Sequence, residues 1–231
     1  MKTKFIVTDI EGTTTDIAFV HNVLFPYSRE RIAAYCTDNQ TDTQVTACLD
    51  EVRTTILVEN NQPHISLQSC IDTLLHCIDA DIKHPALKTL QGMIWRKGYE
   101  NGTLKGHLYD DVVPALQTWK AQNIGLGVYS SGSVAAQKLL FGYSVCGDIT
   151  PFFSHYFDTT IGHKREAQSY ENIVQSLNLL SSEILFLSDI EAELDAAEAV
   201  GLQTIQLVRE GTIASEKHKT VKNFNEIIFQ L

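Results

Sequence analysis

The sequence predicts an α/β protein whose parallel sheet is interrupted, after its first strand, by a long helical insertion. Three observations predict it. A short apolar strand, Phe5-Ile6-Val7, stops at Thr8-Asp9 with Gly12 close behind. Residues from about 16 to 100 then carry helical periodicity with no strand pattern between. Beyond them, short apolar runs alternate with amphipathic segments, the pattern of a parallel sheet covered by helices on both faces.

The elements follow in order. Val45, Cys48, Leu49, Val52 and Ile56 keep helical spacing, as do Leu67, Cys70, Ile71, Leu74, Leu75 and Ile78. His84-Pro85 suits a helix start, with Leu87, Leu90 and Ile94 on one face. Gly98, Gly102 and Gly106 read as a hinge out of the insertion. A helix around Pro114–Gln122 precedes a strand at Ile124–Tyr129, and Ser131 or Ser133 caps a helix over Val134–Phe141. A short strand at Tyr156-Phe157 leads to a helix with Tyr170, Ile173, Val174 and Leu177 on one face. Strand Ile184–Leu187, a helix from about Glu191 to Val200 stopped by Gly201, and strand Thr204–Val208 complete the pattern.

Composition narrows the class. The 231 residues are 44% apolar and 20% charged, which suits one large or two small globular domains. The net charge is −10 with no offsetting Lys/Arg cluster, which argues against nucleic acid or an anionic membrane as partner. No apolar run approaches ~18 residues, the length of a membrane span. Only three apolar residues separate Lys4 from Thr8, too few for a signal peptide, so a cytoplasmic protein is expected. Five cysteines without a C-x-x-C predict free, mostly buried thiols rather than disulfides.

In such sheets ligands bind at the carboxyl ends of the strands. Asp9 and Glu11 follow the first strand and face one side of an extended backbone. Two adjacent carboxylates call for a cation or a proton between them, and oxygen donors suit a hard ion such as Mg²⁺. Gly12 and the threonines after it can turn N–H groups toward an anion, although Asp and Gly are also common in plain turns. Ser130, Ser131 and Gly132 open a helix with hydroxyls and unpaired N–H groups, where simple capping is the commoner explanation. Lys164 precedes a helix N-terminus and opposes its dipole, which a nearby anion would relieve and a surface lysine would not need. Asp189 ends the strand Ile184–Leu187, where a second metal ligand belongs, with Glu193 a candidate behind it. Glu191 and Asp195 fit a solvated first helical turn. Each signal is weak alone; in this order they describe an oxygen cage for Mg²⁺ beside donors for a phosphoryl group.

Asp9-Ile10-Glu11-Gly12-Thr13 resembles the D-x-D-G-T signature of the haloacid dehalogenase superfamily, with Glu11 in place of its second Asp. Asp-Ile-Glu-Gly-Thr-Thr, Phe25-Pro26-Tyr27 and Ile94-Trp95-Arg96-Lys97-Gly98-Tyr99 resemble the enolase-phosphatase (acireductone synthase) family. So do Leu104-Lys105-Gly106-His107, the run from Tyr129 to Gly142, and Phe157-Asp158 with Ile161-Gly162-His163-Lys164. The resemblance implies a Rossmann-like doubly wound parallel sheet at 1–15 and 105–231, with an all-helical cap at 16–104. It implies conversion of 2,3-diketo-5-methylthiopentyl-1-phosphate to the acireductone plus phosphate in methionine salvage, by a cytoplasmic monomer with one Mg²⁺. Asp9 would be nucleophile and metal ligand, Glu11 metal ligand through its carbonyl and general acid/base through its carboxylate. Ser130, Ser131 and Lys164 would bind the substrate phosphate, and Asp189 would complete the metal site.

Other readings compete. Another phosphatase or a phosphomutase of the superfamily would carry the same acid cage. A serine hydrolase could be sought at Gly142-Tyr143-Ser144-Val145-Cys146-Gly147, but Cys146 holds the place of the required glycine. A signalling domain phosphorylated on Asp, or an inactive binding module, fits poorly with an insertion of ~80 residues and with both Asp9 and Lys164 present.

Overall fold

The computed structural model describes residues 2–60 and 65–228, apart from the side chains of residues 59 and 60. Positions 61–64, inside the predicted helical stretch, lie outside the described residues. The chain divides into two compact units, Met1–Ile17 with Lys105–Leu231, and Ala18–Leu104.

The first unit opens with β1 (Phe5–Thr8), buried at all four positions, as an interior strand of a two-sided sheet must be. The second unit begins inside α1 (Ile17–Phe19) and continues through a π-helical turn, Val20–Leu24, into α2 (Phe25–Asp38). The widened turn has a cause in Pro26, which has no N–H to donate; the Phe25 N–H reaches back five residues to the Val20 carbonyl. Helices α3 (Thr43–Asn60), α4 (Leu67–Asp79) and α5 (Pro85–Glu100) follow. Ser66 caps α4 through its hydroxyl, and His84 caps α5 through Nδ1 with Pro85 in the first turn. The apolar stripes read from the sequence meet in one core of Ile32, Val45, Leu49, Val52, Leu74 and Leu90, among others. Each such side chain, buried, is worth about 1.5–3 kcal/mol.

Gly98 is not a hinge. It lies inside α5 and buried, where a Cβ would come within 2.7 Å of the Tyr27 hydroxyl. Trp95 and Tyr99 are structural here: the Trp95 indole N–H donates to the Leu24 carbonyl at 2.8 Å, and Tyr99 is buried, its phenol pKa raised by burial.

The first unit resumes with α6 (Val112–Ala121), β2 (Gly125–Tyr129), α7 (Val134–Gly142), β3 (His155–Phe157) and α8 (Ala167–Leu177). Then come β4 (Ile184–Ser188), α9 (Glu191–Glu198), β5 (Gln203–Leu207) and β6 (Lys219–Val221). All six strands are parallel, in the order β3-β2-β1-β4-β5-β6. This is a Rossmann-like doubly wound sheet, as predicted. β1 is central, and the strand order reverses beside it, which opens the crevice where ligands bind in such sheets. Gly125 and Gly127 on β2 leave room for the Phe5 ring. Phe5, Val7, Tyr129, Tyr170, Ile173, Phe186 and Leu194 pack together on one face of the sheet.

Ser133, not Ser131, caps α7, accepting the Ala136 N–H at 3.3 Å. Ser144 closes a turn: its hydroxyl donates to the Gly147 carbonyl at 2.6 Å and accepts the Cys146 N–H. That is a structural use of the hydroxyl, not that of a hydrolase nucleophile. Among the described residues, no helix is long and apolar enough to cross a membrane.

Candidate active site

Asp9 follows β1 directly, its N–H extending the ladder to the Leu187 carbonyl at 2.8 Å. The side chain is nearly inaccessible, and Oδ1 accepts the Ile10 N–H at 2.7 Å. The same oxygen meets Lys164 Nζ at 2.6 Å. Lys164 comes from the loop after β3 and is 5% exposed, which removes the surface-lysine alternative. Its backbone is fixed from behind: the Tyr170 hydroxyl donates to the Lys164 carbonyl at 2.7 Å, and the Ser169 hydroxyl to that of His163.

Glu193, in the first turn of α9, is the lysine's second carboxylate partner at 2.7 Å. The Ser188 hydroxyl donates to the same Glu193 oxygen at 2.8 Å. Sequence reasoning placed Glu193 only loosely; the spacing Ser188–Glu193 across a strand-to-helix turn was the signal available. Glu11 points to Ser130, whose hydroxyl donates to Glu11 Oε2 at 3.1 Å and accepts the Gly132 N–H at 3.0 Å. Ser130 is buried, while Ser131 is exposed on the same loop. Asp158 was missed: it caps the start of α7 by accepting the Val134 N–H at 3.1 Å.

Asp189 follows β4, with its carbonyl accepting from the Gln206 amide at 2.8 Å. Its Oδ1 is buried without a hydrogen-bond partner. Gly12, at φ +74°, lies against this carboxylate so closely that any Cβ would collide with it. Thus Lys164 bridges Asp9 and Glu193, Glu11 is held by Ser130 within electrostatic reach of Asp9 and Lys164, and Asp189 sits against the turn at Gly12.

Electrostatics follow from four buried or partly buried carboxyl groups sharing one ammonium. Burial and the charge of Asp9 raise the Glu11 pKa and push that of Asp189 up to about 7. Burial and Asp9 likewise raise Glu193. Burial alone would lower Lys164, but Asp9 and Glu193 outweigh it and hold the ammonium charged. The excess negative charge and the orphaned Asp189 oxygen fit a divalent cation with oxygen ligands. Among the described residues no three His, Cys, Asp or Glu side chains form a ready cage.

Comparison with known proteins places this geometry. The family model for haloacid dehalogenase-like hydrolases matches residues 3–201. An enolase-phosphatase E1 from Citrobacter koseri is 57% identical over 222 residues, covering 96% of this chain and 95% of the relative. One from Klebsiella pneumoniae is 58% identical over the same span. This chain belongs to the enolase-phosphatase family of haloacid dehalogenase-like hydrolases. The crystal structure of the UTR4 protein of Saccharomyces cerevisiae matches at TM-score 0.82 and 34% identity, covering 98% of this chain and 100% of that one. A haloacid dehalogenase phosphatase from Thermococcus onnurineus, at TM-score 0.61 and 15% identity, shares the fold. Membership makes the crevice around Asp9 the place to look for phosphatase chemistry.

Proposed function

We propose that this chain is an enolase-phosphatase whose phosphoryl-transfer step is carried by Asp9, Glu11, Ser130, Ser131, Lys164 and Asp189. The substrate is 2,3-diketo-5-methylthiopentyl-1-phosphate, which is enolised and then loses phosphate to leave the acireductone of methionine salvage. The observation that carries the reading is the 2.6 Å contact between Lys164 and Asp9 at the carboxyl end of the central strand.

Asp9 Oδ1 is engaged by Lys164 and the Ile10 N–H, which orients Oδ2 for attack on phosphorus. The Oδ2–P bond forms as the ester P–O bond breaks, and Glu11 gives the departing oxygen its proton. Burial and the neighbouring Asp9 charge raise the Glu11 pKa, which favours the protonated form that this step needs. In the second half, Glu11 takes a proton from water, whose oxygen displaces Asp9 from phosphorus. Ser131, and Ser130 once its hydroxyl proton turns from Glu11, donate to the phosphoryl oxygens, and Lys164 offsets their charge. The carboxylates of Asp9 and Asp189 and the Glu11 carbonyl would hold Mg²⁺, which would add positive charge beside the phosphoryl group. Glu193 keeps Lys164 aimed at Asp9. The helical unit Ala18–Leu104 is the cap in this reading, and the enzyme works as a cytoplasmic monomer.

The test supplies the diketone phosphate and follows enol absorbance and phosphate release separately. Wild type forms acireductone, and Asp9→Asn loses phosphate release. Release at near wild-type rate from Asp9→Asn would overturn the nucleophile; turnover of sugar phosphates but not of the diketone phosphate would overturn the substrate.

A further inference from the structure

The loop carrying Asp9 and Glu11 is a self-bonded knot. The Ile10 carbonyl accepts the N–H groups of Thr13, Thr14 and Thr15 at 3.1, 2.9 and 2.9 Å, and the Gly12 N–H donates to the Thr15 carbonyl at 2.7 Å. These bonds fix the knot's shape but not its setting on the sheet. That setting comes from outside attachments. The Tyr109 N–H donates to the Thr14 carbonyl at 3.1 Å, and the Thr15 hydroxyl donates to the His107 carbonyl at 2.6 Å.

On the Thr13 side the attachment is Arg209, two residues past β5. Its Nε and Nη2 donate to the Thr13 carbonyl at 3.3 and 3.1 Å. Nη1 and Nη2 also grip Asp111 in bidentate fashion at 2.9 and 2.8 Å, and Nη1 reaches the Lys222 carbonyl at 3.2 Å. The guanidinium carbon lies 4.1 Å from the centre of the Tyr109 ring. Asp111 is anchored in turn, accepting the Phe224 N–H at 2.7 Å. Both side chains are largely buried, at 8% and 12% exposure.

Desolvation cancels much of the attraction in a buried ion pair, so such a pair is a poor device for stability alone. What a planar guanidinium does, and a point charge cannot, is hold a carboxylate on one edge and a carbonyl on another. We propose that Arg209 is a positioning residue for the reaction, locking the Gly12–Thr13 turn so that Glu11 and Asp9 stay in register with Lys164 and Asp189. Gly12 transmits any shift of the turn, because it already touches the limit of space beside the Asp189 carboxylate. Asp111 serves by holding Arg209.

The inference rests on the reading of this loop as the phosphatase loop. Its test is Arg209→Lys and, separately, Asp111→Asn. Phosphate release is measured from the diketone phosphate and from p-nitrophenyl phosphate, and folding is checked by circular dichroism. A displacement of about 1 Å costs on the order of 100-fold in rate. So kcat falls about 10- to 100-fold on both substrates in at least one folded variant, while KM changes by less than about threefold. The inference is overturned by a kcat within about twofold of wild type, by a raised KM at unchanged kcat, or by both variants failing to fold. Failure of the substrate reading shows differently: wild type then hydrolyses p-nitrophenyl phosphate but not the diketone phosphate, and the variants are still decided on the former. A wild type inactive on both substrates removes the phosphatase reading and this inference with it.

Discussion

Replacing Lys164 with methionine removes, among the described residues, the one cation that touches both Asp9 and Glu193, at 2.6 and 2.7 Å. At an effective dielectric of about 20, each of those attractions is gross roughly 6 kcal/mol. The cost of drying an ammonium offsets much of this, and losing one partner of a buried pair nets about 3–5 kcal/mol. Methionine matches the length of the lysine stem, so a cavity adds little. Glu193 softens the loss, because burial and Asp9 already raise its pKa and it takes up a proton at modest cost. An acid whose folded pKa lies above its unfolded value holds more protons when folded. Its stabilising contribution is therefore present at low pH and fades as pH rises through the folded pKa. The deficit of Lys164→Met is accordingly near the full 3–5 kcal/mol at about pH 8 and smaller at about pH 6. Urea unfolding in chelator at both pH values measures it, and phosphate release with Mg²⁺ falls about 10²- to 10³-fold. A wild-type urea midpoint at pH 8 together with phosphate release within about tenfold of wild type would refute the reasoning.

Three further outcomes follow from particular contacts. With the Asp189 pKa pushed to about 7 by burial and Asp9, Mg²⁺ binding expels protons below neutrality, so affinity strengthens from about pH 6 to about pH 8. Calorimetry in buffers of different ionisation enthalpy reads this, and pH-independent binding without proton release would contradict it. Gly98→Ala gains about 1 kcal/mol of helix propensity but forces a Cβ against Tyr27 and Leu104, an overpacking cost of about 1–3 kcal/mol. Its melting temperature falls, and a rise would show that α5 has slack there. Finally, Cys146 is exposed whereas Cys36, Cys48, Cys70 and Cys77 are buried. Burial, with Cys48 and Cys70 nearby, lifts the Cys36 thiol to about 11. Iodoacetamide therefore labels Cys146 first in native protein, as peptide mass mapping would show; Cys36 labelling first would contradict the packing.

The parallel sheet was legible because burial on both faces writes continuous apolar runs, and β1, β2, β4 and β5 fall within about two residues of their predicted limits. The edge strand β6 was not: Lys219-Thr220-Val221 is short, with two of its three positions exposed, and carries no apolar run. Gly98 misled because an interior helical glycine and a hinge glycine look alike until Tyr27 is placed beside one of them. In the crevice, residue types and order pointed to Asp9, Glu11, Ser130, Lys164 and Asp189, since strand ends are where such sheets bind ligands. What sequence could not reveal was pairing. That Lys164 bridges Asp9 and Glu193, or that Arg209 ties Asp111 to the Thr13 carbonyl, depends on contacts between positions up to 196 residues apart. A local signal for Arg209 was absent, because an arginine just past a strand reads as an ordinary surface residue.

The central claim is that Asp9 takes the phosphoryl group onto its own carboxylate. Rapid quenching of wild type during turnover, borohydride reduction of any acyl phosphate, and peptide mass mapping would test it directly. The account predicts that the carboxyl carbon of residue 9 is reduced, and no other. Reduction at a different acid, or none while phosphate release proceeds with the intermediate state fully sampled, would contradict it.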